Sequence, residues 1–231
     1  MKVLIFDTET TGLPKNPKDD PSIMNIEEFP YIVQLSWMMY ETETCNLISE
    51  SDNIIKLANN IEISEESINI HKITKQICKE KGVKISEVLQ KFIKNFKNAD
   101  LCVAHNMQFD QKIITVELIR NLLRHGDTEF ESKLVMWQEF SNSKKMFCTM
   151  QETVDICNIK AVSRKYGGKE YIKFPTLAEL HEYYFGYKPE NLHNAYTDVI
   201  VCVRCFHMLK FGEDICEKNI KFRRFVNRIH L

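Results

Sequence analysis

Two acidic residues, Asp7 and Glu9, close an apolar run near the start of the sequence, in the stretch VLIFDTETTG. Side chains two positions apart on a strand project from the same face, while Thr8 between them points to the other. Two carboxylates about 4 Å apart repel by roughly 4 kcal/mol at an effective dielectric constant near 20, so such a pair shares a proton or binds cations. A solvated strand end is the ordinary alternative, and the pair alone does not exclude it.

Two further clusters carry residues of the same chemistry. In LCVAHNMQFD an apolar run leads through His105 and Asn106 to Asp110, in the first turn of a predicted helix. In LHNAYTDVIVC, His193 precedes Asp198, which is predicted in the first turn of the last helix. A separation of five residues is about 140° around a helix, so the two side chains would not share a helical face. We therefore predict that His193 lies in the preceding loop, over a site that Asp198 helps to build.

The elements that must position these clusters alternate along the chain. Short apolar runs typical of buried strands cover residues 2–9, 31–40, 46–56 and 99–106. Apolar residues at helical spacing, or helix signals at the ends, predict helices over residues 64–74, 84–97, 109–123, 175–186 and 195–211. Residues 149–159 are ambiguous between strand and helix. The alternation predicts an α/β fold of three layers.

The length of 231 residues fits one sizeable domain. We predict this domain over residues 1–211, with irregular insertions near 14–30 and 124–147, followed by a basic tail over 212–231. The sequence has no apolar run of membrane length, and the apolar start is too short for a signal peptide. We expect a soluble, intracellular protein, cytoplasmic, with a nuclear location left open.

The charge balance argues against a protein with a general attraction to nucleic acid, and the cysteine pattern argues against a disulfide-bonded protein. The chain has 31 Lys and Arg against 32 Asp and Glu, so its overall charge gives no general attraction to nucleic acid, and any polyanion must be held locally. The eight cysteines are dispersed in apolar segments, which favours reduced core thiols over disulfides. Cys202 and Cys205 have the spacing of half a zinc site or a redox dithiol, but they fall inside a predicted helix, which favours a structural role.

The segments FDTETTG, HNMQFD and HNAYTD resemble the three motifs of the DEDDh 3′–5′ exonucleases, a DnaQ-like family that includes the proofreading epsilon subunit of bacterial DNA polymerase III, ribonuclease T and the TREX nucleases. The resemblance runs from about Val3 to Leu209. IHKIT resembles the family's His-Gly-Ile-Thr, with Lys72 in place of glycine. The sister DEDDy group has a tyrosine four residues before the last aspartate, where this sequence has Asn194. The fold implied is ribonuclease H-like, with a central mixed sheet flanked by helices.

The resemblance also implies a reaction and its cofactors. Relatives hydrolyse phosphodiester bonds of DNA or RNA from the 3′ end and release nucleoside 5′-monophosphates with two Mg²⁺ or Mn²⁺ ions, which hard oxygen ligands prefer. The implied metal ligands, which are also catalytic, are Asp7, Glu9, Asp110 and Asp198. Asp7 would bridge both ions and Asp110 would act largely through water. His193 would be the general base, since imidazole titrates near neutral pH.

Substrate contacts are carried over by analogy. The set implied to bind substrate is Thr8, Thr10, Leu13, His105, Asn106 and Phe109. Thr10 would lie near the 3′ hydroxyl, Leu13 would pack on the last base and Phe109 would stack on a base. The alternatives are loop packing for Leu13, a core position for Phe109, and capping of the next helix by His105 and Asn106. His71, in IHKIT, is interpreted as structural.

The expected partners are 3′ ends of DNA or RNA, single-stranded, with a polymerase or a second copy of the chain as further candidates. Two basic stretches could grip phosphates or be plain solvated faces: residues 160–174, with five Lys or Arg and one Glu, and the tail. Two alternative functions stay open. One is a catalytically silent module that binds nucleic acid, and the other is a proofreading subunit whose tail docks on a polymerase.

Overall fold

A computed structural model describes residues 1–123, 130–143, 145–163 and 167–229, with only the backbone at 130–133. Its centre is one five-stranded sheet. The strands are β1 (Lys2–Thr10), β2 (Ile32–Glu41), β3 (Leu47–Ile54), β4 (Leu101–Ala104) and β5 (Met146–Cys148). They lie in the order β3-β2-β1-β4-β5. β2 is antiparallel to β1 and β3, whereas β4 is parallel to β1 and β5, so the predicted mixed sheet is confirmed.

Helices cover both faces of this sheet. They are α1 (Glu65–His71), α2 (Lys75–Lys81), α3 (Ile85–Asn98), α4 (Met107–Leu123), α5 (Phe130–Ser141), α6 (Thr149–Glu152), α7 (Val154–Cys157), α8 (Leu177–Phe185), α9 (Ala195–Phe211), α10 (Ile215–Lys218) and α11 (Ile220–Ile229). Among the described helices there is no candidate for a bilayer-spanning segment. The ambiguous segment 149–159 is helical where it has regular structure.

Alternation along β1 divides the core into two halves. Leu4 and Phe6 pack into the cluster that α3, α4 and α5 cover, where the rings of Phe6 and Phe92 meet edge to face at 5.2 Å. Val3 and Ile5 pack into the second cluster, under α8 to α11. Because β1 is buried on both faces, even-numbered residues face α4 and odd-numbered residues face α9. The same alternation directs Thr8 towards α4, and Asp7 and Glu9 towards α9.

Cations on α4 hold the irregular segment near residues 14–30. The Arg120 guanidinium donates to the carbonyls of Ile26, Phe29 and Pro30 at 2.7 to 2.9 Å and pairs with Glu117. The Lys112 ammonium donates to the carbonyls of Pro17 and Asp19. A loop without a ladder of its own thus satisfies its backbone oxygens with charged donors. In the second predicted insertion, the structure has α5 and β5, while residues 124–129 and 144 lie outside the described residues.

The segment predicted as a basic tail contains two helices. Phe222, Val226 and Ile229 of α11 are buried in the core cluster beneath α9, at spacings of four and three residues. The basic residues Lys221, Arg223, Arg224 and Arg228 are exposed on the other side of α11. A deletion after Phe211 would therefore remove core side chains as well as positive charge. His230 and Leu231 lie outside the described residues.

Two features outside the main sheet complete the fold. β6 (Lys160–Ser163) and β7 (Lys169–Ile172) pair antiparallel as a separate hairpin, which the sequence patterns did not predict. The residues at 164–166, including Tyr166 of the basic stretch, lie outside the described residues. All eight cysteines are free, and Cys202 and Cys205 are buried within α9, as expected for core thiols.

Candidate active site

Three carboxylates meet where β1 ends beside the first turn of α9. One oxygen each from Asp7, Glu9 and Asp198 lies within 4.8 Å of the others. Asn194 caps α9, and its side chain accepts from the backbone N–H groups of Tyr196 and Thr197 at 3.2 and 3.3 Å. A capped first turn fixes the direction of Asp198 towards the strand. Acids 191 positions apart in sequence are thereby brought into one cluster.

Asp110 approaches β1 from the opposite side. Its carboxylate is 2% exposed, and Oδ1 accepts from the Thr8 backbone N–H at 3.0 Å and from the Thr8 hydroxyl at 2.8 Å. Thr8, which the resemblance assigns to substrate, therefore binds Asp110 directly. Asp110 is not part of the triangle formed by the other three acids, and Thr8 fixes one of its two oxygens.

Burial is the main cause that raises the pKa of each of the four acids, and the charges of neighbouring acids add to the rise at Asp7, Glu9 and Asp110. For Asp7, whose pKa lies well above the usual range, the charges of Asp110, Asp198 and Glu9 add to it. The pKa of Glu9 rises to about 8 by burial and by the charges of Asp198 and Asp110. Burial raises the pKa of Asp110 and of Asp198 to about 7, although hydrogen bonds to each carboxylate oppose the rise. The cluster is short of positive charge.

The donor set fits a divalent cation. Asp198 Oδ1 is buried and has no hydrogen-bond partner among the described residues, although a buried carboxylate oxygen ordinarily has one. The three converging carboxylates are hard oxygen ligands of the kind that Mg²⁺ and Mn²⁺ take. A cation here would supply the partner that Asp198 Oδ1 lacks and would offset the repulsion among the acids.

The raised pKa values predict how stability without metal depends on pH. An acid whose pKa is higher in the folded than in the unfolded state contributes stability below its unfolded pKa, near 4, and loses it as pH rises through the folded value. With values of about 7 to 8 at Glu9, Asp110 and Asp198, Tm in a chelator should fall between about pH 5 and pH 8. Saturating Mg²⁺ should then raise Tm by about 5 °C at the upper pH and by less at the lower, where protons compete. Thermal unfolding at both pH values checks this, and an equal Mg²⁺ effect at both would contradict it.

His193 lies in the loop before α9, as its spacing predicted. The residue is exposed and adopts a left-handed backbone with φ of 68°. Its backbone N–H donates to Asp198 Oδ2 at 3.2 Å. The imidazole lines a cleft of about 490 Å³ together with Asp7 and Asp198. His193 therefore shares a cleft with two of the acids, and its ring has no hydrogen bond to them in the described structure.

A second cleft, of about 630 Å³, lies on the Glu9 side of the acids. Leu13 and Phe109 line it, the first 81% exposed and the second partly packed on the core. Thr10 also lines it, but its side chain is buried and its hydroxyl donates to the Gly12 carbonyl at 2.6 Å. Of the residues that the resemblance assigns to substrate, Leu13 and Phe109 thus present apolar surface to open space beside Glu9.

The histidines at 71 and 105 have both ring nitrogens engaged within the protein. His71 Nε2 donates to the Thr10 carbonyl at 3.1 Å, and Nδ1 accepts from a backbone N–H, which fixes the end of β1. His105 Nε2 donates to the Pro175 carbonyl, and its Nδ1 accepts from the Thr149 hydroxyl, both at 3.0 Å. Burial lowers the pKa of His105 to about 4, so the ring is neutral at neutral pH. These contacts support structural roles for both residues.

Asn106 and Lys72, in two loops near the clefts, adopt a left-handed backbone conformation. Asn106 is exposed with φ of 75°, and it lines the same cleft as His193. Lys72 ends α1 with φ of 62°, a conformation that favours glycine. The glycine of the related motif therefore corresponds to the residue that ends α1, and Lys72 adopts the same left-handed conformation here at some conformational cost. Lys72 does not line either cleft.

Gln34 is a positioning residue that the sequence patterns did not single out. It is 1% exposed and lies opposite Glu9 in the β1–β2 ladder. Its amide donates to Asp52 at 2.7 Å, and its carbonyl accepts from the Ala195 backbone N–H, the first of α9, at 3.1 Å. Gln34 therefore ties β2 to the helix start that carries Asp198. The signal in the sequence is weak: a polar residue within a largely apolar strand that also contains Ser36.

Gln34→Met should keep the volume of the side chain but leave the Ala195 N–H without its acceptor. We expect the free energy of unfolding to fall by about 1–3 kcal/mol, and the cleavage rate to fall about 10-fold because Asp198 is less well held. Denaturant unfolding and strand cleavage measure the two effects. Gln108→Met, at an exposed position of α4, is the matched control. Wild-type values for Gln34→Met in both assays would exclude the positioning role.

Comparison with known proteins agrees with this geometry. The sequence model of a family described as exonuclease, RNase T, matches residues 4–206. Comparison with curated protein sequences gave no match. Among solved structures, E. coli exonuclease I in complex with a dT13 oligonucleotide has a TM-score of 0.61 and 16% identity, covering 91% of this chain and 41% of that one. Exonuclease I from Methylocaldum szegediense has a TM-score of 0.60 and 18% identity, covering 98% and 44%. The chain spans less than half the length of these structures, which share its ribonuclease H-like fold.

Proposed function

Because the chain belongs to the exonuclease family, we propose that it is a metal-dependent 3′–5′ exonuclease releasing nucleoside 5′-monophosphates from DNA or RNA. The observation that carries the proposal is the acid cluster itself. Asp7, Glu9 and Asp198 converge within 4.8 Å, and a buried Asp198 oxygen has no partner among the described residues. No apolar or structural role accounts for three repelling carboxylates, two of which line one cleft and the third the next.

The four acids together supply about four negative charges, enough to balance two Mg²⁺ or Mn²⁺ ions. Asp7, Glu9 and Asp198, whose oxygens converge within 4.8 Å, would hold these ions, and Asp110, with one oxygen bound by Thr8, would add its charge from the α4 side. Bound divalent ions supply Lewis acidity, favouring ionisation of the attacking water and balancing charge that develops on the phosphate. The protein's own part is to hold the carboxylates in place and to orient the strand.

His193 accepts the proton of the attacking water in this proposal. His193 lines the cleft shared with Asp7 and Asp198, and its backbone N–H donates to Asp198. An exposed imidazole on a loop can approach the water and then pass the proton to solvent. The loop position also leaves the side chain free to move when a strand enters.

A single-stranded 3′ end is the substrate that the clefts fit best. Leu13 and Phe109 on the Glu9 side offer apolar surface for a terminal base, which a duplex would keep stacked. The solved complex of E. coli exonuclease I holds a dT13 oligonucleotide, and we extend that class of ligand to this chain. Ribose or deoxyribose is left open. A polymerase or a second copy as partner rests on the resemblance alone, and the free, mostly buried cysteines favour an intracellular location.

The direction of cleavage is tested with one strand in two labelled forms. We expect a 5′-labelled DNA or RNA strand with Mg²⁺ or Mn²⁺ to give a ladder that shortens one nucleotide at a time, and a 3′-labelled strand to release labelled mononucleotide at once. A chelator should stop both reactions. Internal cuts, or release of mononucleotide from a 5′ label first, would overturn the proposal. No cleavage by the folded protein would favour the silent binding module.

A further inference from the structure

The hairpin of β6 and β7 and the residues that follow it to Phe174, here called the arm, stand apart from the main sheet. Every residue of β7 is exposed. The register places Tyr171 opposite Ala161, and Lys169 opposite Ser163, so these four side chains share one face. Lys160 and Val162 belong to the other face. A hollow of about 650 Å³ is lined, among the described residues, by Ser163, Lys169, Glu170 and Tyr171.

The arm exposes large apolar side chains that the fold does not require there. Tyr171 is 50% exposed and Phe174 55%, while Val162, at 60%, lies on the opposite face of the hairpin. A two-stranded ribbon without a hydrophobic partner is marginally stable in water, so solvent-facing aromatics on it contribute little to folding. Their exposure is better explained by contact with a ligand that binds rings.

The charged residues of the arm indicate the kind of ligand. Its described residues include Lys160, Lys169 and Lys173 against one acid, Glu170, in a chain whose overall charge is close to zero. Within the described residues, the ammonium groups of Lys160 and Lys169 form no hydrogen bond or ion pair, whereas Lys173 pairs with Glu179 at 2.6 Å. Unpaired ammonium groups beside exposed rings complement a polyanion that carries bases.

The base of the arm is fixed to the acid cleft. Lys173 is held by Glu179 of α8, and its backbone N–H donates to the Ile159 carbonyl at 3.0 Å. The Pro175 carbonyl accepts from His105. Phe174, between these two anchors, lines the cleft that also contains Asp7, His193 and Asp198. A strand whose 3′ end lies at the acids can therefore reach Phe174 and, beyond it, the hairpin of the arm.

We propose that the arm binds the single strand that leads to the reacting 3′ end, with Phe174 and Tyr171 stacking on bases and Lys169 pairing with a phosphate. The inference rests on the proposed function of the acid cleft and adds the path of the substrate. The strand is single because the base faces of a duplex are already stacked. Only the face that carries Tyr171 and Lys169 takes part, so Lys160 does not contact the strand.

Fluorescence anisotropy of a 5′-labelled oligo(dT) of about 20 nucleotides tests the arm, with Ca²⁺ in place of Mg²⁺ to slow hydrolysis. Tyr171→Ala and Phe174→Ala should each raise Kd about 10-fold, while Tyr183→Ala, at a similarly exposed tyrosine of α8, should not. Lys169→Gln should lower the slope of log Kd against log salt by about 0.7, the value for one phosphate contact on a single strand. Lys160→Gln should leave the slope unchanged.

Three results would overturn the proposal that the arm binds the strand. They are wild-type Kd values for both aromatic variants, equal effects of Lys160→Gln and Lys169→Gln, and equal affinity for a blunt duplex. Thermal unfolding of each variant shows whether a weaker Kd comes from loss of the fold. If the wild-type protein itself binds no strand, the proposed function fails together with the arm. If it binds and Tyr171→Ala and Phe174→Ala bind as tightly, only the arm fails.

Discussion

Asp7→Asn is expected to reduce the cleavage rate by at least about 1,000-fold, since charge stabilisation by metal ions supplies several kcal/mol and each factor of ten corresponds to about 1.4 kcal/mol. Asp7 is the central acid of the cluster, and the charges of Asp110, Asp198 and Glu9 all act on it. The amide keeps the shape of the carboxylate but removes the charge that would hold a cation. In a chelator the variant should be at least as stable as the wild type near neutral pH, because one source of repulsion is gone.

The comparison of cleavage rates between the wild type and Asp7→Asn requires a control substitution and a test that the variant is folded. Asp155→Asn, at an exposed aspartate of α7, removes the same charge away from the cluster and should leave cleavage unchanged. Thermal unfolding in a chelator separates a chemical loss from a structural one. Full activity of folded Asp7→Asn would remove this residue from the metal centre.

His193→Asn is expected to lower kcat by about 100- to 10,000-fold, the range for loss of a general base, with the affinity for Mn²⁺ unchanged. Asparagine tolerates the left-handed backbone that His193 adopts at φ of 68°, so the loop should keep its shape. The contact to Asp198 comes from the backbone N–H and survives the substitution. His193→Ala should give the same loss of kcat with a less favourable loop conformation.

Cleavage rates across pH and Mn²⁺ binding separate the two roles that histidine could have. If His193 is the base, the rise of the rate with pH that depends on imidazole should disappear in His193→Asn. A parallel loss of Mn²⁺ affinity would make His193 a metal ligand. An unchanged cleavage rate in His193→Asn would mean that another group accepts the proton.

The sequence predicted most of the acid site because its signals are local. Period-two alternation in β1 directs Asp7 and Glu9 to one face and Thr8 to the other, and the structure has both directions. The loop position of His193 followed from its distance to Asp198 alone. The prediction that the acids near residues 7 and 198 converge depended on the fold class and the family resemblance, because sequence spacing does not predict contacts between distant segments.

Other features depend on contacts that no local pattern contains. The link from Gln34 to the start of α9 joins residues 161 positions apart. The hairpin of the arm lacks the apolar alternation of a buried strand, because all of β7 is exposed. The many basic residues of the tail are typical of an exposed segment, whereas Phe222, Val226 and Ile229 have the spacing of a helix packed on one side.

Calorimetric titration of Mn²⁺ into the wild type and Asp7→Asn, in the presence of a nucleoside 5′-monophosphate, shows whether the acid cluster is the metal centre. We predict two Mn²⁺ ions per wild-type chain, and loss of at least one from the variant with much weaker binding of any that remains. Equal binding of Mn²⁺ by both folded proteins would contradict the assignment and would leave the cluster of Asp7, Glu9 and Asp198 without a function.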